Sequence, residues 1–136
     1  SVLSTAVSKC SMPFSDAFIK GILCNFLVCI AVWISFAAKE VVSKIVGLFF
    51  PIMMFVLCGF EHSIANMYYI SSGLFAKTNA TYVQAATDAG VDLTNLTWGN
   101  FSKNLLPVTL GNIVGGAICV GCAYWFIYLR KAKKAA

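Results

Sequence analysis

The sequence predicts an all-α membrane protein in which about three transmembrane spans are present and the middle span is a broken helix. Two observations lead to this fold class. First, 60% of the 136 residues are hydrophobic and only 11% are charged, whereas soluble domains usually carry about 25% charge. Second, the apolar residues fall into three long blocks, and the mean hydropathy of the chain is +0.82. These features indicate a lipid environment.

The first and third apolar blocks each match one membrane-spanning helix. Gly21–Ala38 contains no charged residue and extends back to Pro13, a residue type that suits a first helical turn. Asn104–Leu129 is also uncharged and is followed by a basic tail. Because a span needs roughly 20 residues, we predict spans at residues 13–38 and 104–129.

The middle block, Ile45–Ala76, is too long for one straight span and too short for two spans with a turn. Its apolar sequence is broken only by the adjacent Glu61 and His62. Two half-helices joined near residues 59–63 would explain both the length and the central polar pair. We therefore predict one span over residues 45–76, broken at that point.

Gly59, Glu61 and Ser63 are the residues expected to form the helix break around His62. Gly59 permits an irregular backbone, and Ser63 is predicted to cap the second half-helix and turn its positive N-terminal end toward the break. An imidazole beside such an end suits a small anion. Glu61 is expected to bind loop backbone groups, because a free carboxylate would repel an anion. The alternative, in which His62 also only satisfies loop backbone groups, stays open here.

Lysine and arginine residues indicate how the spans are oriented. Most of them lie in the linker after the first span and in the C-terminal tail: Lys39, Lys44, Arg130, Lys131, Lys133 and Lys134. The segment from Lys77 to Lys103 has two lysines balanced by two aspartates. Cytoplasmic loops are enriched in basic residues. The tail is therefore expected in the cytoplasm and residues 77–103 outside, in a multi-pass protein.

Cysteine and glycine residues in the apolar blocks are expected to serve packing. The chain has six cysteines, and the Cys119–Cys122 pair lies inside the third block, where small packing residues are more plausible than a metal site. Gly111 and Gly115 have the spacing that lets two helices approach closely in lipid. No phosphate-binding loop or nucleic-acid motif is present. We expect no metal, no cofactor and no nucleic-acid partner.

Three sequence stretches together resemble the formate/nitrite transporter family. "GFEHSIANMYYI" is similar to the signature of the fifth helix in that family. "AVSKC…AFIKGILCNFLVCIAVW" resembles its lysine segment and fourth helix, and "NLLPVTLGNIVGGAICVGCAYWFIYLRK" resembles its sixth helix. The three stretches occur in the family order and cover nearly the whole chain.

The resemblance implies an aquaporin-like helical bundle of six spans per protomer, assembled as a homopentamer with a pore in each subunit. Residues 1–136 would form the C-terminal half of this channel domain, with the N-terminal half of the same protein as a partner. The family transports small monovalent anions, namely formate, nitrite, hydrosulfide and lactate. The clustered cysteines and the wording of the fourth span favour the hydrosulfide branch, in a cell inner membrane.

The resemblance also assigns functional residues, all of them noncatalytic. It implies His62, Lys9, Asn25 and Asn112 as pore or substrate-binding residues, and Phe55 and Val28 as apolar constriction residues. In the expected mechanism Lys9 attracts anions, the constriction excludes hydrated ions, and His62 donates a hydrogen bond or a proton.

Several functional alternatives remain open from the sequence. A channel and a proton-coupled carrier both fit the expected mechanism. An aquaporin-type channel for neutral solutes is a second possibility, although its usual Asn-Pro-Ala triplet is absent. A membrane metalloenzyme that uses His62 and Glu61 is a third. We expect a transporter and not an enzyme.

Overall fold

The structure is a computed structural model that describes residues 2–130, and within them every regular element is helical. The all-α prediction is therefore confirmed for this part of the chain. The basic tail residues Lys131, Lys133 and Lys134 lie outside the described residues. The helices, in chain order, are α1 (Val2–Cys10), α2 (Phe14–Ala37), α3 (Val41–Leu57), α4 (Ser63–Ala76), α5 (Ala80–Asp88) and α6 (Trp98–Ile113). Helix α6 continues with wider π-helical turns over Val114–Cys122 and Trp125–Leu129.

Among residues 2–130, two helices are each long and apolar enough to cross a membrane. They are α2, with 24 residues, and α6 with its π-helical extension, with 32 residues. The third predicted span corresponds to α3 and α4, which have 17 and 14 residues and are each shorter than a full span. Helices α3 and α6 begin at Val41 and Trp98, earlier than predicted. Both helices begin before the apolar blocks do and include Lys44 and Lys103. Hydropathy indicates which residues enter the lipid, and it does not indicate where a helix begins.

Helices α2 and α6 run parallel and pack closely through glycine. Gly111 lies against the carbonyl oxygen of Phe18, and Gly115 lies against that of Ile22, so a Cβ atom at either glycine would collide with the α2 backbone. Further along both helices, the ring of Trp33 stacks on the ring of Tyr124 at a centroid distance of 3.9 Å. The predicted close helix contact at Gly111 and Gly115 is thus formed within this chain, between α2 and α6.

A second group of helices was missed by the sequence analysis. Helix α1 packs on α4, and α5 packs beside them. Their shared core consists of Leu3, Ala6, Ile70, Leu74, Ala86 and Leu96. A Cβ atom at Gly73 would meet Ala6, so α1 and α4 approach closely. This contact places the C-terminal end of α1 beside the break between α3 and α4.

Helix α3 differs from the other long helices because none of its residues is buried. Its large apolar side chains, including Phe49, Met54 and Leu57, are exposed in this chain. Burial of such a surface in lipid or protein is favourable, and an uninterrupted apolar face of this size is uncommon on a soluble monomer.

Candidate functional site

The break between α3 and α4 is formed by a glycine-terminated helix end. Gly59 has φ of +63°, a backbone conformation that residues with a Cβ atom rarely adopt. The N–H of Gly59 donates to the carbonyl of Val56 at 3.1 Å, and the N–H of Phe60 donates to the carbonyl of Phe55 at 3.0 Å. These two bonds form a Schellman motif, which closes the carbonyl end of α3. The chain then crosses to α4 over residues 60–62.

The prediction that Ser63 caps α4 is wrong. Ser63 is the first residue of α4, and the flanking cap position is occupied by His62, whose side chain makes no capping hydrogen bond. The backbone N–H of Ser63 instead donates to Oδ1 of Asn112 at 3.0 Å. A local serine cap is unnecessary here because an amide from α6 already accepts this hydrogen bond.

Asn112 connects the break to both long helices. Its Nδ2 atom donates to the carbonyl of Gly21 at 2.9 Å and to the carbonyl of Glu61 at 3.0 Å. The backbone carbonyl of Asn112 in turn accepts a hydrogen bond from Nδ2 of Asn25 at 2.7 Å. The structure thus brings Asn25 and Asn112 together on facing helices, with the Asn25 side chain bound to the Asn112 backbone.

Lys9 and Glu61 form an ion pair within a buried polar network. Lys9 Nζ lies 2.8 Å from Glu61 Oε1 and 5.6 Å from the centroid of the Tyr69 ring. Asn66 Nδ2 donates to Glu61 Oε2 and, at 2.8 Å, to Asn104 Oδ1. Asn104 Nδ2 then donates to the backbone carbonyl of Lys9 at 2.9 Å. The four polar residues form a closed ring of hydrogen bonds that joins α1, α4, α6 and the break.

The prediction that the Glu61 side chain binds loop backbone groups is therefore wrong. Its carboxylate binds Lys9 and Asn66 side chains and not loop N–H groups. The loop is held instead through the Glu61 backbone, whose N–H donates to the carbonyl of Lys20 at 3.3 Å. Sequence analysis missed this arrangement because Lys9 lies on a different helix.

Asn66 and Asn104 are functional candidates that the sequence analysis missed. Both are buried, with exposed fractions of 0% and 3%. Each stands among apolar neighbours, and a polar side chain at such a position requires a partner. The signal in the sequence that could have identified them was an asparagine within an apolar segment. Nothing local indicated that the two amides bind one another.

His62 lies at the N-terminal end of α4, against an apolar ring. The centroid of its imidazole is 6.1 Å from that of Phe55. Its Nδ1 atom is buried, and within residues 2–130 it has no hydrogen-bond partner. The first N–H groups of a helix also lack intrahelical partners, and the helix dipole places partial positive charge there. The break therefore combines a titratable ring with an electropositive helix end.

The remaining constriction candidate, Val28, lies on α2. It is half-buried, about one turn beyond Asn25. Phe55, the other constriction candidate, lies beside His62.

Cysteine positions give no sign of a metal centre in the described part of the chain. Cys24 is buried, whereas Cys58, Cys119 and Cys122 are exposed, and all are free thiols. Residues 2–130 contain no group of three histidine, cysteine, aspartate or glutamate side chains that could hold a metal ion.

A family comparison decides how this site is classified. Residues 1–126 match the model of the family described as "Formate/nitrite transporter". This chain belongs to the formate/nitrite transporter family. The resemblance carried by the three sequence stretches is confirmed, and the named relatives in this family are transporters and channels.

Named relatives within the formate/nitrite transporter family include formate channels. The chain is 44% identical over 133 residues to the formate channel FocA of Escherichia coli (strain K12), covering 96% of this chain and 47% of the relative. It is also 44% identical over 122 residues to a probable formate transporter of Methanothermobacter thermautotrophicus, covering 89% of this chain and 38% of the relative.

Solved structures of the family share the fold. A pentameric formate channel with formate bound matches with a TM-score of 0.81 and 42% identity, over 94% of this chain and 51% of that chain. An FNT family ion channel matches with a TM-score of 0.76 and 32% identity, over 92% of this chain and 44% of that chain. The chain thus spans about half the length, or less, of these formate/nitrite transporters.

Proposed function

We propose that this chain forms the C-terminal half of a membrane channel for small monovalent anions, with formate as the first substrate. The observation that carries the proposal is the placement of His62 at the N-terminal end of α4, beside Phe55. A helix N-terminus attracts anions, and an imidazole can donate a hydrogen bond to them. The formate channels among the relatives support this substrate class.

We attribute the positive potential at the break mainly to the N-terminal end of α4 and to His62, and less to Lys9. Lys9 lies against Glu61 at 2.8 Å, so the charges of the two side chains largely cancel at a distance. This pairing also removes the repulsion that a free carboxylate beside the pore would exert on an anion. Lys9 therefore permits anion entry by neutralising Glu61, and it attracts anions only as part of that pair.

Apolar side chains supply the dry part of the proposed pathway. Phe55 lies beside His62, and we place Val28 in a second constriction whose other residues come from the N-terminal half of the protein. A dry ring disfavours a hydrated ion because removal of water from a charge is costly. A hydrogen bond or a proton from His62 would lower that cost for the anion of a weak acid, so proton-linked transport belongs to the proposal.

The proposed assembly is a homopentamer of six-span protomers in a cell inner membrane. The exposed apolar face of α3 would contact lipid or the N-terminal half. Helices α3 and α4 would together form one discontinuous span, since irregular backbone survives at membrane depth only where protein or a cavity surrounds it. The basic residues Lys39, Lys44 and Arg130 support a cytoplasmic C-terminus.

Nitrite and hydrosulfide are the other substrates of this proposal. They share with formate a small size and a single negative charge, and hydrosulfide and formate are both bases of weak acids. The preference for hydrosulfide rests on the clustered cysteines and on the wording of the fourth span. The relatives named as formate channels favour formate over hydrosulfide as the first substrate to test.

Flux measurements on the full-length protein containing this chain test the proposal. Purified protein in liposomes should transport formate faster than protein-free liposomes, with nitrite and hydrosulfide measured in parallel and water flux as the control. His62→Phe should reduce formate flux while the exposed-site variant Gln84→Ala retains it. Water flux without anion flux would instead indicate a neutral-solute channel and overturn the proposal.

A further inference from the structure

Asn112 uses both of its side-chain donors within the protein. An asparagine amide has two N–H donors and one carbonyl oxygen. The two donors bind the carbonyls of Gly21 and Glu61, at 2.9 and 3.0 Å, and the oxygen accepts the N–H of Ser63 at 3.0 Å. Since a carbonyl only accepts and a backbone N–H only donates, these partners fix which end of the amide is nitrogen.

These contacts leave Asn112 poorly suited to bind an anion directly. Its two donors are occupied, and the free lone pair of its oxygen would repel negative charge. The side chain is also nearly enclosed, with 7% of the residue exposed. A direct ligand would need a free N–H directed toward the pathway.

Two of the three hydrogen bonds of Asn112 lie on either side of His62, the proposed pore histidine. Glu61 precedes His62 and Ser63 follows it, and Asn112 binds the backbone of both. Its third bond attaches this loop to Gly21 of α2. A single side chain from α6 thus fixes the peptide groups on either side of His62 relative to the two long helices.

We infer that Asn112 is a positioning residue that holds His62 in the break and does not bind the transported anion. Its substrate-binding assignment from the family resemblance is replaced by this role. The inference rests on the proposed function for its consequence in transport, but the structural role of Asn112 can be tested without any anion. Asn25 supports the arrangement, because its amide donates to the backbone carbonyl of Asn112 at 2.7 Å.

The N–H of Ser63 provides a direct readout of this role. As a first-turn group it has no partner within α4, so its protection from hydrogen exchange depends on Asn112 Oδ1. Exchange should be measured on the assembled full-length protein, in peptides that cover residues 58–66, without formate. Asn112→Ala removes the acceptor, whereas Asn112→Asp retains an acceptor of the same shape. Gln84→Ala, on the exposed face of α5, is the control.

Asn112→Ala should speed exchange in residues 58–66 by about fivefold, the factor that corresponds to one lost hydrogen bond of about 1 kcal/mol. Asn112→Asp should also speed exchange, because its carboxylate cannot donate to the carbonyls of Gly21 and Glu61, and Gln84→Ala should leave the peptide unchanged. If Asn112→Ala fails to assemble, the unmodified protein decides: exchange of the Ser63 N–H that is slower than in an unstructured peptide supports the inference, and exchange at the unstructured rate overturns it.

Formate flux then separates a positioning role from a binding role. If exchange in residues 58–66 stays unchanged in Asn112→Ala while the half-saturating formate concentration rises, Asn112 is a ligand and the inference is wrong. If the unmodified protein transports no anion, the proposed function fails on its own. The exchange result for Ser63 would still report whether Asn112 holds the break.

Discussion

Lys9 and Glu61 form a 2.8 Å ion pair although 52 positions separate them in the sequence. Only 14% of the Lys9 side chain and 3% of the Glu61 side chain are exposed. The pair attaches the end of α1 to the break between α3 and α4. Helix α1 therefore belongs to the candidate site and is not a peripheral terminal segment.

Removal of Lys9 alone should destabilise the protein more than removal of both charges. Lys9→Met leaves the buried Glu61 carboxylate without its cation, which we expect to lower the free energy of unfolding by about 3 kcal/mol. The double variant Lys9→Met/Glu61→Gln should recover more than half of that loss, because no buried charge remains. Unfolding of the full-length protein in a denaturing-detergent titration would measure the difference.

The exposed Lys103 provides the control for this pair. Lys103→Met removes a charge of the same sign from the outer surface of α6 and should change the unfolding free energy by less than about 0.5 kcal/mol. If Lys9→Met and the double variant lose equal free energy of unfolding, the Lys9 charge does not stabilise the buried Glu61 carboxylate.

Gly115 should tolerate no side chain, whereas Gly121 should. A Cβ atom at Gly115 would collide with the backbone carbonyl of Ile22, so Gly115→Ala should force α2 and α6 apart and destabilise the protein by about 2 kcal/mol. At Gly121 the nearest atom to a new Cβ is Gly116 O of the same helix, 3.5 Å away. Gly121→Ala should be neutral or stabilising by up to about 1 kcal/mol.

Thermal unfolding and assembly of the two glycine variants, measured side by side, check this prediction. The larger Gly115→Leu variant should fail to assemble. An assembled Gly115→Leu protein of normal stability would show that α2 and α6 can separate here without cost.

Substitutions at Gly59 should change stability through the backbone conformation that the position requires, and not through the size of the new side chain. Its φ is +63°, and a Cβ atom placed there meets nothing within 4 Å. Gly59→Ala should therefore cost about 1 kcal/mol from the backbone alone. Gly59→Asn should cost less, because asparagine adopts the left-handed region more readily. Gly99→Ala, in the first turn of α6 with its nearest atom at 3.9 Å, is the control, and equal stability of all three variants would contradict the prediction.

His62 should govern the pH dependence of formate flux. A protonated imidazole donates from both nitrogens, whereas the neutral ring donates from only one. Flux through the unmodified protein should rise as pH falls from about 8 to about 5.

Two histidine variants separate hydrogen bonding from titration. His62→Asn keeps a donor but should flatten the pH profile, and His62→Phe should lose both the donor and the profile. Unchanged profiles in both variants, with normal assembly, would remove His62 from the mechanism and leave the break as a structural turn.

The sequence by itself determined the helical fold and the position of the break. Long uncharged blocks predict apolar helices because backbone groups in lipid must be satisfied within the helix. Gly59 and the adjacent Glu61–His62 pair interrupt such a block, and the structure ends α3 at Leu57 and begins α4 at Ser63. The glycine pair on α6 predicted a close helix contact for the same local reason, since small residues admit a neighbouring backbone.

Only the tertiary structure decided which polar groups meet at the break. Lys9 binds Glu61 across 52 positions of the sequence, and Asn112 binds Ser63 and Gly21 across 49 and 91 positions. Hydropathy and spacing report the burial of a residue but not the identity of its hydrogen-bond partner. Each buried polar group must find a specific donor or acceptor, and that choice depends on how α1, α2 and α6 converge in space. For this reason the sequence marked Asn112 as important, while the fold assigned its amide to the backbone on both sides of His62.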